Sequence, residues 1–311
     1  MTAQTPILPV QAILRRLARH GRSLVIAVPL WWLIVFFLIP FAVVAKISFA
    51  EAIIARPPYS SLVDWTSEGV LLLKLHLSNY GYLLEDSLYV LAYWSSIQMA
   101  FFSTLIALVV AYPMAYYIAR TSERRRNVLL MLIILPFWTS FLLRVYAWIG
   151  ILKTNGIINN ALMSLGLTSE PFIMLQTNFA VYVGIVYTYL PFMVLPLFTN
   201  LVKLDNSLLE ASADLGASPI TTFFKVTLPL SVPGIIAGSM LVFIPVVGEF
   251  VIPALLGGPD TLMIGKVLWG EFFNNRDCPV ASAVAIVMLV LLIIPIMLLR
   301  NAQEASAEAA R

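Results

Sequence analysis

The chain has 311 residues, of which 60% are hydrophobic and only 11% are charged, and its mean hydropathy is +0.92. Soluble domains average about 25% charged residues, so this composition excludes a soluble protein and predicts an integral membrane protein. The net charge of +3 gives no indication of nucleic-acid binding. One cysteine, Cys278, cannot form an internal disulfide, and His20 and His76 lack metal-motif spacing, so no metal site is predicted.

Six apolar segments are long enough to cross a bilayer, which takes about 20 residues in a helix. They are residues 24–46, 90–119, 128–150, 177–201, 232–256 and 280–300. The predicted fold class is therefore all-α integral membrane, with six transmembrane helices in one domain over 24–300. The first apolar run, Leu24 to Ala45, is longer than that of a cleaved leader. We expect a retained anchor helix, with cleavage after Ala50 as the alternative.

Lysine and arginine concentrate on the cytoplasmic side of membrane proteins, and their positions predict the orientation. Four arginines and no acidic residue lie in the N-terminal segment 1–23, and four more lie in the turn 120–126 beside Glu123. In segment 47–89 the acidic residues outnumber the basic residues. We therefore expect 1–23, loop 203–229 and a frayed tail 301–311 in the cytoplasm. Segment 47–89, with a strand or short helix near 71–77, is expected on the periplasmic face.

Loop 203–229 carries helix signals of its own. Ser207 and Glu210 have the spacing of a capping box, and Gly216 suits the left-handed position that closes a helix. Ser218 and Pro219 then read as an N-cap followed by proline at the first helical position. Leu208, Ala211 and Leu215 would share one narrow apolar face. The pattern predicts a compact helix-turn-helix on the membrane surface.

This loop resembles the EAA loop of ABC-importer permeases. Glu210-Ala211, Gly216 and Leu228-Pro229 match that pattern at its spacing, whereas Ser212 and Val226 replace alanine and isoleucine. The resemblance implies a helix that docks into a partner ATPase. The residues expected to couple to it are Ser207, Glu210, Ala211, Asp214, Leu215, Gly216 and Pro219. From the residues alone, an ordinary interfacial amphipathic hairpin is the alternative.

The likeness extends over residues 24–300. The stretches 135–146, 190–196, 234–238, 248–258 and 272–277 are similar to the spermidine/putrescine family of ABC-importer permeases, and within it to putrescine permeases. Cys278 stands where an aromatic residue is expected. The resemblance implies a multi-pass subunit of the bacterial inner membrane that works by alternating access.

The same resemblance implies partners. They are a second permease subunit, a homodimer of ATPase subunits and a periplasmic polyamine-binding protein, within membrane lipid and without nucleic acid. The chain itself is expected to be no enzyme and to hold no cofactor, because ATP and Mg²⁺ belong to the ATPase. The nearest P-loop look-alike, Gly258 to Val267, has six residues between its glycines instead of four, and valine where a hydroxyl is required.

Glu249 is the only acidic residue of the fifth apolar run, and charges inside a membrane usually face a cavity or a partner. It could meet the ammonium groups of a cationic cargo, or it could hold helices together, for example by pairing with Arg144. Arg144 itself would repel such a cargo and is expected to pair or to snorkel to the interface. Four aromatic residues, Trp138, Tyr146, Tyr187 and Tyr189, could form cation–π contacts with a cargo or could simply be packing or interface residues.

Small residues and prolines add structural expectations. Gly234 and Gly238 have the spacing of close helix packing. Pro191, Pro196, Pro245 and Pro253 interrupt hydrogen-bond ladders and could form hinges or fixed kinks.

Competing functions remain open at this point. The cargo could be spermidine or another small organic cation instead of putrescine. An ion-driven secondary transporter would show inverted repeats, and none is obvious. A membrane enzyme would need a catalytic constellation, which the sequence does not offer.

Overall fold

The computed structural model describes residues 25–65 and 71–309, with side chains over 25–63 and 74–297. In this part of the chain all regular structure is helical except for one small β-hairpin. The fold divides into two units. The first extends to Asn79 and includes Cys278–Ile286, and the second consists of Tyr80–Asp277 with the residues from Val287 onward.

The first unit contains helix α1 (Val25–Ser48), which confirms the first predicted span. The strands β1 (Val63–Trp65) and β2 (Leu71–Leu73) follow and pair in antiparallel register, with Asp64 opposite Leu72. The side-chain amide of Asn79 donates to the carbonyl oxygens of Ser48 at 2.9 Å and Ala50 at 2.8 Å. These bonds tie the end of the connecting segment back to the end of α1.

The remaining helices follow in chain order. They are α2 (Ser78–Glu85), α3 (Ser87–Arg120), α4 (Glu123–Ile134), α5 (Phe141–Leu152), α6 (Ile157–Ser164), α7 (Asn178–Leu201), α8 (Asn206–Asp214), α9 (Pro219–Leu230), α10 (Val232–Val247), α11 (Val251–Leu256), α12 (Ile264–Trp269) and α13 (Cys278–Ala309). In the described residues, five helical segments are long and apolar enough to span a membrane: α1, α3, Phe141–Ser164, α7 and the first 20 residues of α13. A sixth is present if α9 and α10, which meet at 63°, count as one span.

Helices α3, α7 and α10 pack together and form the core of the second unit. On α3 the buried face is a seam of small residues spaced three or four apart: Ala92, Ser96, Ala100, Ser103, Ala107, Ala111, Ala115 and Ala119. Small side chains let helix backbones approach closely. Inside a membrane no hydrophobic effect drives helices together, so this close packing is a main source of their association. A buried hydrogen bond of 2.9 Å between the hydroxyls of Tyr112 and Ser231 adds a polar contact between α3 and the start of α10.

The third predicted span, 128–150, is wrong as one continuous helix. Helix α4 ends at Ile134, residues 135–138 form a 3₁₀ turn, and Thr139 is extended before α5 begins. Pro136 has no N–H and crowds the preceding turn, which favours a break at this point. The second and fourth predicted spans are confirmed as single helices, because α3 and α7 reproduce them within three residues at each end.

The fifth predicted span, 232–256, is also wrong as one helix, because α10 ends at Val247 and α11 starts at Val251. The four prolines lie inside α7, α10 and α11, and the break falls between Pro245 and Pro253.

The predicted frayed tail is wrong as well, since α13 continues to Ala309. That segment is rich in alanine and glutamate, which are strong helix formers.

Gly234 lies where α10 packs closely against α7. A Cβ atom placed there would lie 2.7 Å from Cβ of Asn200 and 3.2 Å from the carbonyl oxygen of Pro196. Gly234→Ala should therefore lower stability by about 1–3 kcal/mol, because neither neighbour is a movable side-chain end. Gly150→Ala is the matched control, since nothing lies within 4 Å of its Cβ position. Thermal unfolding of the two purified variants in detergent tests this, and an equal effect of both would contradict it.

Candidate functional site

Glu249 lies in the break between α10 and α11 and is only 8% exposed. Its Oε1 atom accepts hydrogen bonds from the backbone amides of Val251 at 3.0 Å and Ile252 at 3.4 Å. The hydroxyl of Tyr189 on α7 donates to Oε2 at 2.6 Å. The carboxylate therefore satisfies the free amides at the start of α11 and joins this break to α7.

Two further contacts fix the break from the side of α12. The hydroxyl of Ser96 on α3 accepts from the amide of Ile264 at 2.8 Å, within the core. A Cβ atom on Gly265 would lie 2.4 Å from the carbonyl oxygen of Gly248 and 2.6 Å from that of Glu249. Only glycine therefore permits the start of α12 to lie directly against the break.

Of the five predicted cargo-path residues, the structure brings together only Glu249 and Tyr189. Trp138, at the end of the 3₁₀ turn, is 77% exposed, and Tyr146 on α5 is 55% exposed. Tyr187 packs edge-on against Trp148, with ring centroids 5.4 Å apart, and lines a crevice beside α3 and α4. It is two residues from Tyr189, which places it on a different side of α7.

The suggested pairing of Glu249 with Arg144 is wrong. The carboxylate is occupied by Tyr189 and backbone amides, and the guanidinium of Arg144 lies over the rings of Phe137 and Phe141 at 5.1 and 5.9 Å. Nε and Nη1 of Arg144 are buried and have no hydrogen-bond partner among the described residues. The guanidinium of Arg144 is thus stabilised by cation–π contacts with these two rings.

An aromatic stack beside Glu249 was missed by the sequence analysis. The rings of Phe250 and Trp269 are parallel within 10° and 4.3 Å apart, and Phe273 lies 4.0 Å from Trp269. Trp269 and Phe273 are 43% and 53% exposed. The spacing of four residues between Trp269 and Phe273 is the only sequence signal, and it does not identify Phe250 as the third member.

The loop between α7 and α10 forms the predicted helix-turn-helix, but the predicted capping box is wrong. The N-cap of α8 is Asp205, whose Oδ1 accepts from the amide of Ser207 at 2.9 Å. This hydrogen bond lowers the pKa of the Asp205 carboxyl below its ordinary value. Aspartate is as strong an N-cap as serine, so the helix begins two residues earlier than predicted. Ser207 and Glu210 are exposed on its first turns.

The turn that ends α8 is as predicted. Gly216 has φ +79°, its amide donates to the carbonyl of Ala213 at 2.9 Å, and the amide of Ala217 donates to that of Ser212 at 3.1 Å. These two bonds define a Schellman motif. Ser218 then caps α9 by accepting from the amide of Thr221, with Pro219 at the first helical position.

The hairpin of α8 and α9 is internally fixed and has an apolar outer surface. The hydroxyls of Ser212 and Thr222 lie 2.8 Å apart across the turn, and Nη1 of Arg120 at the end of α3 donates to the side-chain oxygen of Asn206. Its exposed apolar side chains are Leu208 (46%), Leu215 (88%), Ile220 (71%) and Phe224 (60%). Ala211, Asp214 and Pro219 are exposed as well. Such a surface fits a docking element.

Residues 103–307 match the family described as binding-protein-dependent transport system inner membrane component. The chain belongs to this family. Its members are membrane components of transport systems, which agrees with the prediction that the chain is no enzyme and lies in the inner membrane.

Two relatives extend the likeness over most of the chain. The spermidine/putrescine transport system permease protein PotB of Haemophilus influenzae is 39% identical over 271 residues, covering 87% of this chain and 90% of that protein. PotB of Escherichia coli is 43% identical over 216 residues, covering 70% and 78%. These relatives confirm the predicted family of permeases.

A solved structure supports the fold. The bacterial alginate ABC transporter in complex with an alginate pentasaccharide-bound periplasmic protein aligns with a TM-score of 0.68 at 14% identity. The alignment covers 92% of this chain and 95% of that one. At this identity the likeness concerns the helical permease fold alone.

Because Glu249 accepts hydrogen bonds from the first amides of α11, its removal should lower the stability of the protein. Glu249→Ala leaves two buried amides without an acceptor and should cost about 1–3 kcal/mol. Glu249→Gln retains a carbonyl oxygen for the amide of Val251 and should stay close to the parent. The midpoint of thermal unfolding measures both, and equal losses in the two variants would show that the cap is not the cause.

Proposed function

We propose that this chain is a permease subunit of an ATP-driven importer for polyamines, with putrescine as the expected cargo. The observation that carries the proposal is the buried carboxylate of Glu249 in a helix break of a permease whose relatives are named for spermidine and putrescine. A cation that leaves water needs a compensating charge, and Glu249 offers one.

The aromatic stack beside Glu249 supports a cationic cargo. The partly exposed rings of Trp269 and Phe273 can attract an ammonium group, and desolvation strengthens such contacts. A diamine carries two charges separated by a short apolar stem, which suits a carboxylate flanked by rings. Spermidine is the second candidate, because the relatives carry both cargo names. Both cargoes would use the same carboxylate.

Coupling to ATP would pass through the hairpin of α8 and α9. Its fixed turn and exposed apolar residues suit insertion into a cleft of an ATPase, so that closure of the ATPase dimer moves α7 and α10. The arginine turn at 120–126 supports a cytoplasmic position for this end of the helices. In this orientation both chain termini are cytoplasmic as well.

The complete importer would contain this chain, a second permease subunit, a homodimer of ATPase subunits that hold ATP and Mg²⁺, and a periplasmic binding protein. Segment 47–89, with its β-hairpin, would face the binding protein. Energy from an ion gradient is the less favoured alternative, because the hairpin that follows α7 has no role in it.

Uptake of radiolabelled amines into vesicles that contain the reconstituted complex tests the proposal. We expect ATP-dependent, orthovanadate-sensitive uptake of putrescine, with spermidine as the competing substrate. Glu249→Gln should lower uptake about 10- to 100-fold, the range for losing a charged hydrogen-bond partner. Uptake that is insensitive to orthovanadate, or unchanged in Glu249→Gln, would contradict the mechanism.

Substitutions in the hairpin of α8 and α9 test its proposed coupling to the ATPase separately from the proposed cargo path. Gly216→Asp places a side chain at φ +79°, and Glu210→Lys reverses a charge on the docking surface. We expect each to lower ATP-driven uptake by about tenfold or more while the complex still inserts. Gly166→Asp is the matched control, because Gly166 has φ +69° and equal space but lies outside the hairpin. Normal uptake in Gly216→Asp would overturn the coupling role.

A further inference from the structure

An apolar crevice of about 350 Å³ opens between α3, α4 and α7. Its lining includes Met114 and Tyr117 from α3, Leu129 and Leu132 from α4, and Tyr187 and Leu190 from α7. No charged residue is part of the lining, so no carboxylate in it would compensate a cationic cargo for its lost hydration. The crevice therefore lies outside the proposed cargo path and suits a hydrocarbon chain.

The turn that joins α3 to α4 places a cluster of positive charge at one end of this crevice. Arg120, Arg124, Arg125 and Arg126 stand there against a single acid, Glu123. Tyr117 precedes Arg120 by three residues, a helix rise of about 4.5 Å, so the crevice begins within one turn of the arginines. An apolar slot with a cationic rim matches a ligand with a fatty tail and an anionic head.

Among the described residues, no acidic side chain forms an ion pair with these arginines. Nε and Nη2 of Arg120 and Nε of Arg126 are buried and have no hydrogen-bond partner among the described residues. The Nη2 group of Arg126 donates to the carbonyls of Ala119 and Thr121, both at 3.2 Å. Arg124 and Arg125 are exposed and can be reached from outside. The whole turn thus retains positive charge.

The depth of the crevice matches one leaflet of a bilayer. Pro136, in the 3₁₀ turn that follows α4, lines the far end of the crevice and lies ten residues beyond Arg126, a helix rise of about 15 Å. Half of the hydrocarbon core of a bilayer is also about 15 Å thick. Tyr117 is 60% exposed at the mouth, and tyrosine favours the level of lipid headgroups.

We propose that this crevice and the adjoining arginine turn bind an anionic phospholipid, with one acyl chain between α3, α4 and α7 and the phosphate at Arg124 and Arg125. The site would be occupied independently of cargo. Its ligand is a diacyl lipid and not free phosphate, because the arginines are only one half of the site and the apolar crevice is the other.

Native mass spectrometry of the purified complex tests the charged half. Complexes are incubated with phosphatidylglycerol, with phosphatidylcholine of the same acyl chains, or with glycerol phosphate. We expect phosphatidylglycerol to be retained at least about tenfold better than phosphatidylcholine, and glycerol phosphate not to displace it. Arg124→Gln combined with Arg125→Gln should abolish this preference. Lys203→Gln combined with Lys225→Gln removes the same charge elsewhere and should leave it intact.

The apolar half has its own matched pair of variants. Leu132 and Met131 are each 54% exposed on α4, but only Leu132 lines the crevice. Leu132→Trp should fill the slot and reduce retention of phosphatidylglycerol about tenfold, whereas Met131→Trp should not. Equal retention of the two lipids, displacement by glycerol phosphate, or equal effects within either pair of variants would overturn the proposal. The uptake assays do not enter this test, so the two proposals can fail separately.

Discussion

Backbone amides and carbonyls that lie among lipid tails must find hydrogen-bond partners within the protein, and this constraint governs the second unit. Long helices satisfy it along most of the chain. Between α10 and α11 the helical ladder stops, and the carboxylate of Glu249 takes the place of the missing carbonyl acceptors. A residue proposed to meet the cargo is thus also a structural cap. Any cation that binds it must share it with Tyr189 and the amides of Val251 and Ile252.

Much of the helical fold could be predicted from the sequence because long apolar runs leave a chain few alternatives in a membrane. Helices α1, α3 and α7 follow from this rule. The turn of the hairpin formed by α8 and α9 was equally predictable, since the left-handed conformation of Gly216 and the N-cap at Ser218 are decided by neighbouring residues. In these places local chemistry and global fold agree.

The remainder depends on contacts that are distant in sequence. The ends of α4 and α10 were missed although Pro136 and Gly248 stand there, because single prolines and glycines also occur inside continuous membrane helices. The hydrogen bond from Tyr189 to Glu249 joins residues that are 60 positions apart in the sequence. The N-cap of α8 was misplaced because Asp205 and Ser207 are both good caps, and only the path of the chain from α7 selects between them. The small-residue seam of α3 has a helical period, but hydrophobicity alone does not reveal it.

The hydrogen bond from Arg120 to Asn206 has a mechanical consequence. It joins the last residue of α3 to the first residue of α8, although these residues are 86 positions apart. Force applied to α8 can therefore enter the end of a 34-residue helix directly, without passing along α7. That helix is about 51 Å long. On the same helix, Ser96 accepts the hydrogen bond that holds the start of α12 beside the break at Glu249, so α3 contacts both the hairpin and the region of the break.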